Sequence, residues 1–156
     1  MKVRIVCVGK VKEGYFLSGI QEYLKRLTRF CKAEIVEIKE ENFTENPSES
    51  EKQRILQKEG ENILCALRGK VVALCVEGKQ TDSVGFSRIL REVKDGGGEI
   101  TFVIGGSYGL LEEVKQRADL RLSFSEMTFP HTLMRLILTE QIYRGFTIMQ
   151  GSPYHK

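Results

Sequence analysis

The chain has no tryptophan, only three prolines, two histidines and four cysteines among 156 residues, and each scarcity excludes something. Cys7, Cys31, Cys65 and Cys75 form no C-x-x-C pair, and two of them lie in apolar runs. That pattern argues for reduced core thiols and against a disulfide framework or a zinc site. His131 and His155 stand at opposite ends of a helix and tail, so no metal is expected. No apolar run reaches the length a membrane span needs, and the start Met-Lys-Val-Arg-Ile-Val-Cys-Val lacks the longer apolar core and cleavage site of a signal peptide. A cytoplasmic protein without membrane attachment is the expectation. Also missing are a G-x-x-x-x-G-K-[ST] phosphate loop, a G-x-S-x-G elbow and an H-E-x-x-H pair.

What is present is ordinary in bulk and uneven in detail. With 41% hydrophobic and 29% charged residues, the sequence reads as one globular domain over 1–156 with room for a substantial core. The net charge of +3 conceals zoning: residues 1–33 carry eight Lys or Arg against two acids, and residues 34–62 carry four against nine. Lys25, Arg26, Arg29 and Lys32 cluster at the end of the first helical pattern. There they suit the helix dipole and could meet phosphates, or they are simply a solvated helix end.

Strand-like runs at Val3–Val8, Ala33–Ile38, Val71–Val76, Ile100–Ile104 and Leu120–Phe124 alternate with helical patterns. Phe16, Ile20, Tyr23, Leu24 and Leu27 mark one helix face, and Ser48 with Glu51 makes a capping box for a second helix. Ser83–Lys94 and Leu111–Ala118 supply two more. Such alternation predicts an α/β fold with a mostly parallel sheet flanked by helices. Lys39–Ser50, acidic with Asn and Pro, reads as a mobile connector.

The C-terminal segment from Leu122 holds both histidines, two of the prolines and a helix that is apolar almost all round. Pro130 suits a first helical position, where its missing N–H costs nothing. His131, Arg135 and Thr139 form one polar stripe, and Glu140 with Arg144 is spaced for an i to i+4 ion pair. Arg135, surrounded by aliphatic residues, must find a partner. A core helix with a tethering salt bridge and a ligand-facing helix both fit this pattern.

In an open parallel sheet, ligands bind at the carboxyl ends of the strands. Three loops are expected there: Glu77-Gly78-Lys79, Gly105-Gly106-Ser107-Tyr108-Gly109, and Ser123–Phe129. They could line one pocket, although a Gly-Gly turn alone is more often structural. The glycine loop is not the G-x-G-x-x-G dinucleotide fingerprint, because Ser107 takes the second glycine's place.

Several of these residues together carry a resemblance. Phe102-Val-Ile-Gly-Gly-Ser-Tyr-Gly-Leu110, Leu122-Ser-Phe-Ser-Glu-Met-Thr-Phe-Pro-His131, Arg135, Glu140-Gln-Ile-Tyr-Arg144 and the terminal Pro153-Tyr-His-Lys156 resemble the RlmH (YbeA-like) family of SPOUT-superfamily methyltransferases. The likeness runs the length of the chain, from Val8-Gly9-Lys10 onward. It implies a SPOUT-type homodimer with a C-terminal trefoil knot, which sequence physics would not propose. It also implies S-adenosylmethionine-dependent methylation of N3 of a pseudouridine in the 23S rRNA stem-loop facing the decoding centre, on the assembled ribosome.

Carried onto this sequence, the resemblance implies a methyl-donor site at Leu74, Gly105, Phe124, Ser125, Glu126, Met127, Thr128 and Phe129. Cys75 stands where many relatives carry an acidic residue, which would alter the polarity of that site. For the transfer, Arg135 and Arg144 are the candidates for stabilising charge on the acceptor ring, and His155 or Tyr154 for taking the proton or holding the base. The tail would order over the site or touch RNA, with the first-helix cations as a second RNA surface. Two other classes stay open at this point: a donor-binding regulator without catalysis, and a ribosome-associated RNA-binding factor.

Overall fold

The computed structural model describes residues 1–42 and 45–156. Phe43 and Thr44, inside the expected 39–50 connector, lie outside the described residues. Five strands, β1 (Lys2–Val8), β2 (Lys32–Ile38), β3 (Lys70–Gln80), β4 (Glu99–Ile104) and β5 (Leu120–Ser123), form one parallel sheet in the order β2-β1-β4-β3-β5. The helices are α1 (Gly14–Leu27), α2 (Glu49–Ala66), α3 (Ser83–Asp95), α4 (Glu112–Arg117) and α5 (His131–Met149). The expected α/β architecture is present.

Alternation along the strands divides the core in two. Val3, Ile5 and Cys7 of β1 join Leu27 of α1, Leu90 of α3 and Leu138, Ile142 and Phe146 of α5 on one face. Val6 and Val8 meet Ile63 of α2 and Val114 of α4 on the other. Each such aliphatic side chain, fully buried, stabilises the fold by about 1.5–3 kcal/mol. Both faces of the sheet are thereby covered, as parallel strands require. The capping box holds: Glu51 N–H reaches Ser48 Oγ at 3.3 Å and Ser48 N–H reaches the Glu51 carboxylate at 2.8 Å, fixing the start of α2.

Two details depart from expectation. The Glu77-Gly78-Lys79 stretch is not a loop after the third strand but part of it. Leu122 of β5 pairs with Leu74 and again with Lys79, so residues 75–78 bulge out of the ladder and return to it. Gly78 permits the return, since a Cβ there would lie 2.6 Å from the Leu122 carbonyl carbon. Pro130 is the N-cap of α5, one position before the helix, with ψ at 136°. Its carbonyl accepts the first turn's N–H from Met134 at 2.9 Å.

α5 lies between α1 and α3, and none of its nineteen residues is exposed. It therefore joins two places, one at each end.

Candidate functional site

At the N-terminal end of α5 the carboxyl ends of β3, β4 and β5 open into a cleft of about 530 Å³. Leu74 and the bulge residues Cys75, Val76 and Glu77 form one wall, and Gly105, Gly106, Ser107 and Gly109 form the floor. Gly105 packs so closely under Gly109 that any Cβ would collide with its backbone, and Gly109 itself has φ +82°. The other wall is the 123–130 loop. Hydroxyls organise it: Ser123 Oγ donates to Ser125 O at 2.9 Å, and Ser125 Oγ accepts from Met127 N–H at 3.0 Å.

The cleft gathers seven of the eight expected donor-site residues, Leu74, Gly105, Phe124, Ser125, Met127, Thr128 and Phe129. Glu126 is not among its lining residues and is exposed. Lys115, whose helical pattern gave no hint of a site, joins the rim through an ion pair with Glu77 at 2.5 Å. That ammonium holds the Glu77 carboxyl below its usual range. Burial, and then Glu77, push the Cys75 thiol up, so it faces the cleft as a neutral group. Among the described residues no cluster of three His, Cys, Asp or Glu could hold a metal.

The residues expected to act on the acceptor are elsewhere. Arg135 is 1% exposed, and its Nη2 donates to the carbonyls of Val8 at 3.0 Å and Gly9 at 3.2 Å while Nη1 meets Glu37 at 3.1 Å. It ties α5 to the end of β1 and does not line the cleft.

Arg144, Tyr154 and His155 do come together, at the C-terminal end of α5. Arg144 is clamped by Glu140, through Nε at 3.0 Å and Nη2 at 2.6 Å, in the predicted i to i+4 pair. Its Nη1 points to His155 Nδ1 at 3.5 Å, and its guanidinium lies 4.7 Å from the centroid of the Tyr154 ring. Tyr154 donates to the same Glu140 oxygen at 3.0 Å and approaches Tyr23 Oη at 3.4 Å. Burial and these hydrogen bonds hold its phenol well above the ordinary range, so it stays protonated and serves as a donor, not a base. Gln141 steadies Glu140 from behind at 2.7 Å and accepts from Ser83 at 2.8 Å. Sequence reasoning missed Glu140 as the centre of this network because the i to i+4 spacing announced only the Arg144 pair.

Comparison with known proteins fixes the family. A profile described as "Predicted SPOUT methyltransferase" matches residues 1–155. The chain is 52% identical to the ribosomal RNA large subunit methyltransferase H of Streptococcus sanguinis, covering 100% of both chains. It is 53% identical to that of Streptococcus thermophilus and 50% to that of Leuconostoc mesenteroides, again over 100% of each. The chain belongs to the SPOUT methyltransferases, in the RlmH family. Solved structures share the fold at much lower identity. A "probable methylase family protein" of Haemophilus influenzae superposes with TM-score 0.56 at 12% identity, over 99% of this chain and 70% of that one. A Bordetella pertussis relative gives 0.56 at 11%, over 92% and 93%.

Proposed function

We propose that this chain is an S-adenosylmethionine-dependent methyltransferase of the ribosome, acting on N3 of a pseudouridine in the 23S rRNA stem-loop that faces the decoding centre. The observation that carries the reading is the cleft at the ends of β3, β4 and β5, which gathers seven of the eight expected donor residues in a chain about half identical, end to end, to large-subunit rRNA methyltransferases. A SPOUT-type trefoil knot, a single domain over 1–156 and a cytoplasmic site of action belong to the same reading.

The cleft suits the donor. Its volume falls in the range of small-molecule sites, and its walls pair aliphatic and aromatic surface with backbone groups and hydroxyls, with no phosphate cradle. Leu74, Leu122, Met127 and Phe129 would flank the adenine, while Ser125 and Thr128 would meet ribose or carboxylate oxygens. When bound, S-adenosylmethionine supplies an activated methyl group. Glu126, exposed on the loop, would act through loop shape alone.

At the other end of α5, Arg144 would turn its Nη1 arm, which meets His155 Nδ1 at 3.5 Å, to a carbonyl oxygen beside N3, where negative charge gathers as the ring proton leaves. Tyr154 holds Arg144 by its ring face and stays protonated, and His155 would take the proton at Nδ1 once Arg144 has turned from that nitrogen to the acceptor ring. Arg135 becomes a positioning residue, anchoring the helix that carries both ends.

Met134, at the cleft, and Arg144 are ten residues apart on α5, roughly 15 Å at about 1.5 Å per residue. No residue of the tail lines the cleft of its own protomer. A homodimer in which each tail serves the partner's cleft would bring donor and acceptor groups together, and this supports the dimeric reading.

The test is to incubate the protein with radiolabelled S-adenosylmethionine and ribosomes from a strain lacking the modification, offered as separated subunits and as whole particles. Label mapped to N3 of a 23S pseudouridine is the expected result. Donor binding without label on any particle would instead favour a regulator.

A further inference from the structure

The zoned charge of the sequence becomes spatial in the fold. α1 and α5 lie on one side of the sheet, whereas α2, from the acidic stretch, lies on the other. On the α1 side the basic helix end and the tail form a continuous surface. Lys25, Arg26 and Arg29 are exposed on the last turns of α1 and just beyond it. Arg26 lies 5.6 Å from the Tyr23 ring centroid and 5.8 Å from that of Tyr143. Tyr143 in turn packs edge-on against Tyr154 at 5.0 Å, and Tyr154 leads to Arg144, His155 and the exposed Lys156. Glu22, paired with Arg26, and Glu140, paired with Arg144, partly offset these cations.

Cations interleaved with half-exposed aromatic rings suit one class of ligand. Single-stranded RNA presents phosphates at regular intervals and unstacked bases between them, and such strands are held by Lys or Arg on the backbone and by aromatic or guanidinium planes under the bases. We propose that the face running from Lys25 and Arg29 through Tyr23, Arg26 and Tyr143 to the tail is the track for the single-stranded RNA that flanks the acceptor nucleotide. Lys25 and Arg29 take phosphates, and the Tyr23 and Arg26 planes take a neighbouring base. This rests on the RNA-methyltransferase reading and adds a surface away from the donor cleft. It also accounts for Glu22: by pairing with Arg26 at 2.8 Å it holds that guanidinium beside the Tyr23 ring.

The test compares Lys25→Ala/Arg29→Ala with Arg88→Ala/Arg91→Ala, which removes the same charge from exposed positions on α3. Binding of a fluorescent single-stranded oligoribonucleotide is followed as salt is varied, with donor affinity and methylation of ribosomes measured alongside. Two lost phosphate contacts should lower the slope of log affinity against log salt by roughly 1.4, from about 0.7 per contact on single strands. For the α1 variant KM for ribosomes should rise about tenfold, with kcat within twofold and donor affinity unchanged, while the α3 variant behaves as wild type. Equal losses in both variants, unchanged KM in the α1 variant, or dissociation of a dimer on removing Lys25 and Arg29 would overturn the proposal. If the wild-type protein labels no ribosome and binds no RNA, the broader reading falls and this track with it. If it labels ribosomes and the α1 variant does so equally well, the track alone falls.

Discussion

The two ends of α5 are built from different materials. At its start, backbone, hydroxyls and aliphatic or aromatic walls make a cleft whose shape depends on close glycine packing. At its end, a carboxylate, a guanidinium and two phenols form a hydrogen-bonded charge network. The contrast teaches that an apolar ligand cleft and a charge-orienting network need separate environments. An apolar cleft weakens under a misplaced charge, whereas an arginine that stabilises developing charge needs a partner to keep its orientation. Next to the cleft end, buried Arg135 fixes the first turns of the helix to the end of β1.

Substitutions can break this division one end at a time. The largest effect is expected at the tail: Arg144→Ala should lower kcat by about 10²–10³-fold, the usual loss when one charge-stabilising donor is removed, with donor affinity by calorimetry unchanged. Gly105→Ala should do the reverse, weakening donor binding at least tenfold, because the new Cβ has no room under Gly109; near-ultraviolet dichroism of the tail tyrosines should stay native. Arg135→Ala touches neither end directly. It should destabilise the protein by about 3 kcal/mol in denaturant titration, from loss of a buried charged anchor, and a protein as stable as wild type would show that the link is dispensable.

Smaller changes sharpen the comparison. Glu140→Gln keeps the shape but removes the charge that clamps Arg144, and about a tenfold fall in kcat is expected, with Glu140→Asp partly restoring it. Cys75→Ser should alter donor affinity by no more than about twofold, because the thiol is already neutral and its replacement is nearly isosteric.

Much of the fold is legible in the sequence. Apolar runs such as Val3–Val8 and Ile100–Ile104 must be buried on both faces, and Ser48 with Glu51 must start a helix. Local chemistry specifies both. The β3 bulge was not legible, because Glu77-Gly78-Lys79 has the composition of a turn and only pairing with Leu122 returns it to the ladder. Arg135 was placed correctly as needing a partner, but which partner was not readable. Spacing along a helix says which residues share a face and not what that face meets. The carbonyls of Val8 and Gly9 lie more than a hundred residues away in sequence. Lys115 gave no signal for the same reason, since its role depends on where the bulge delivers Glu77.

The central claim is that the cleft at one end of α5 and the charge network at the other form one catalytic site across two copies of the chain. The direct test mixes Gly105→Ala, deficient in donor binding, with Arg144→Ala, deficient in chemistry, after denaturing and refolding them together. Each homodimer should be inactive alone, and the mixture should recover methylation of ribosomes, because some mixed dimers join an intact cleft to an intact tail. A mixture as inactive as its parents, with mixed dimers verified by native mass spectrometry, would contradict the account.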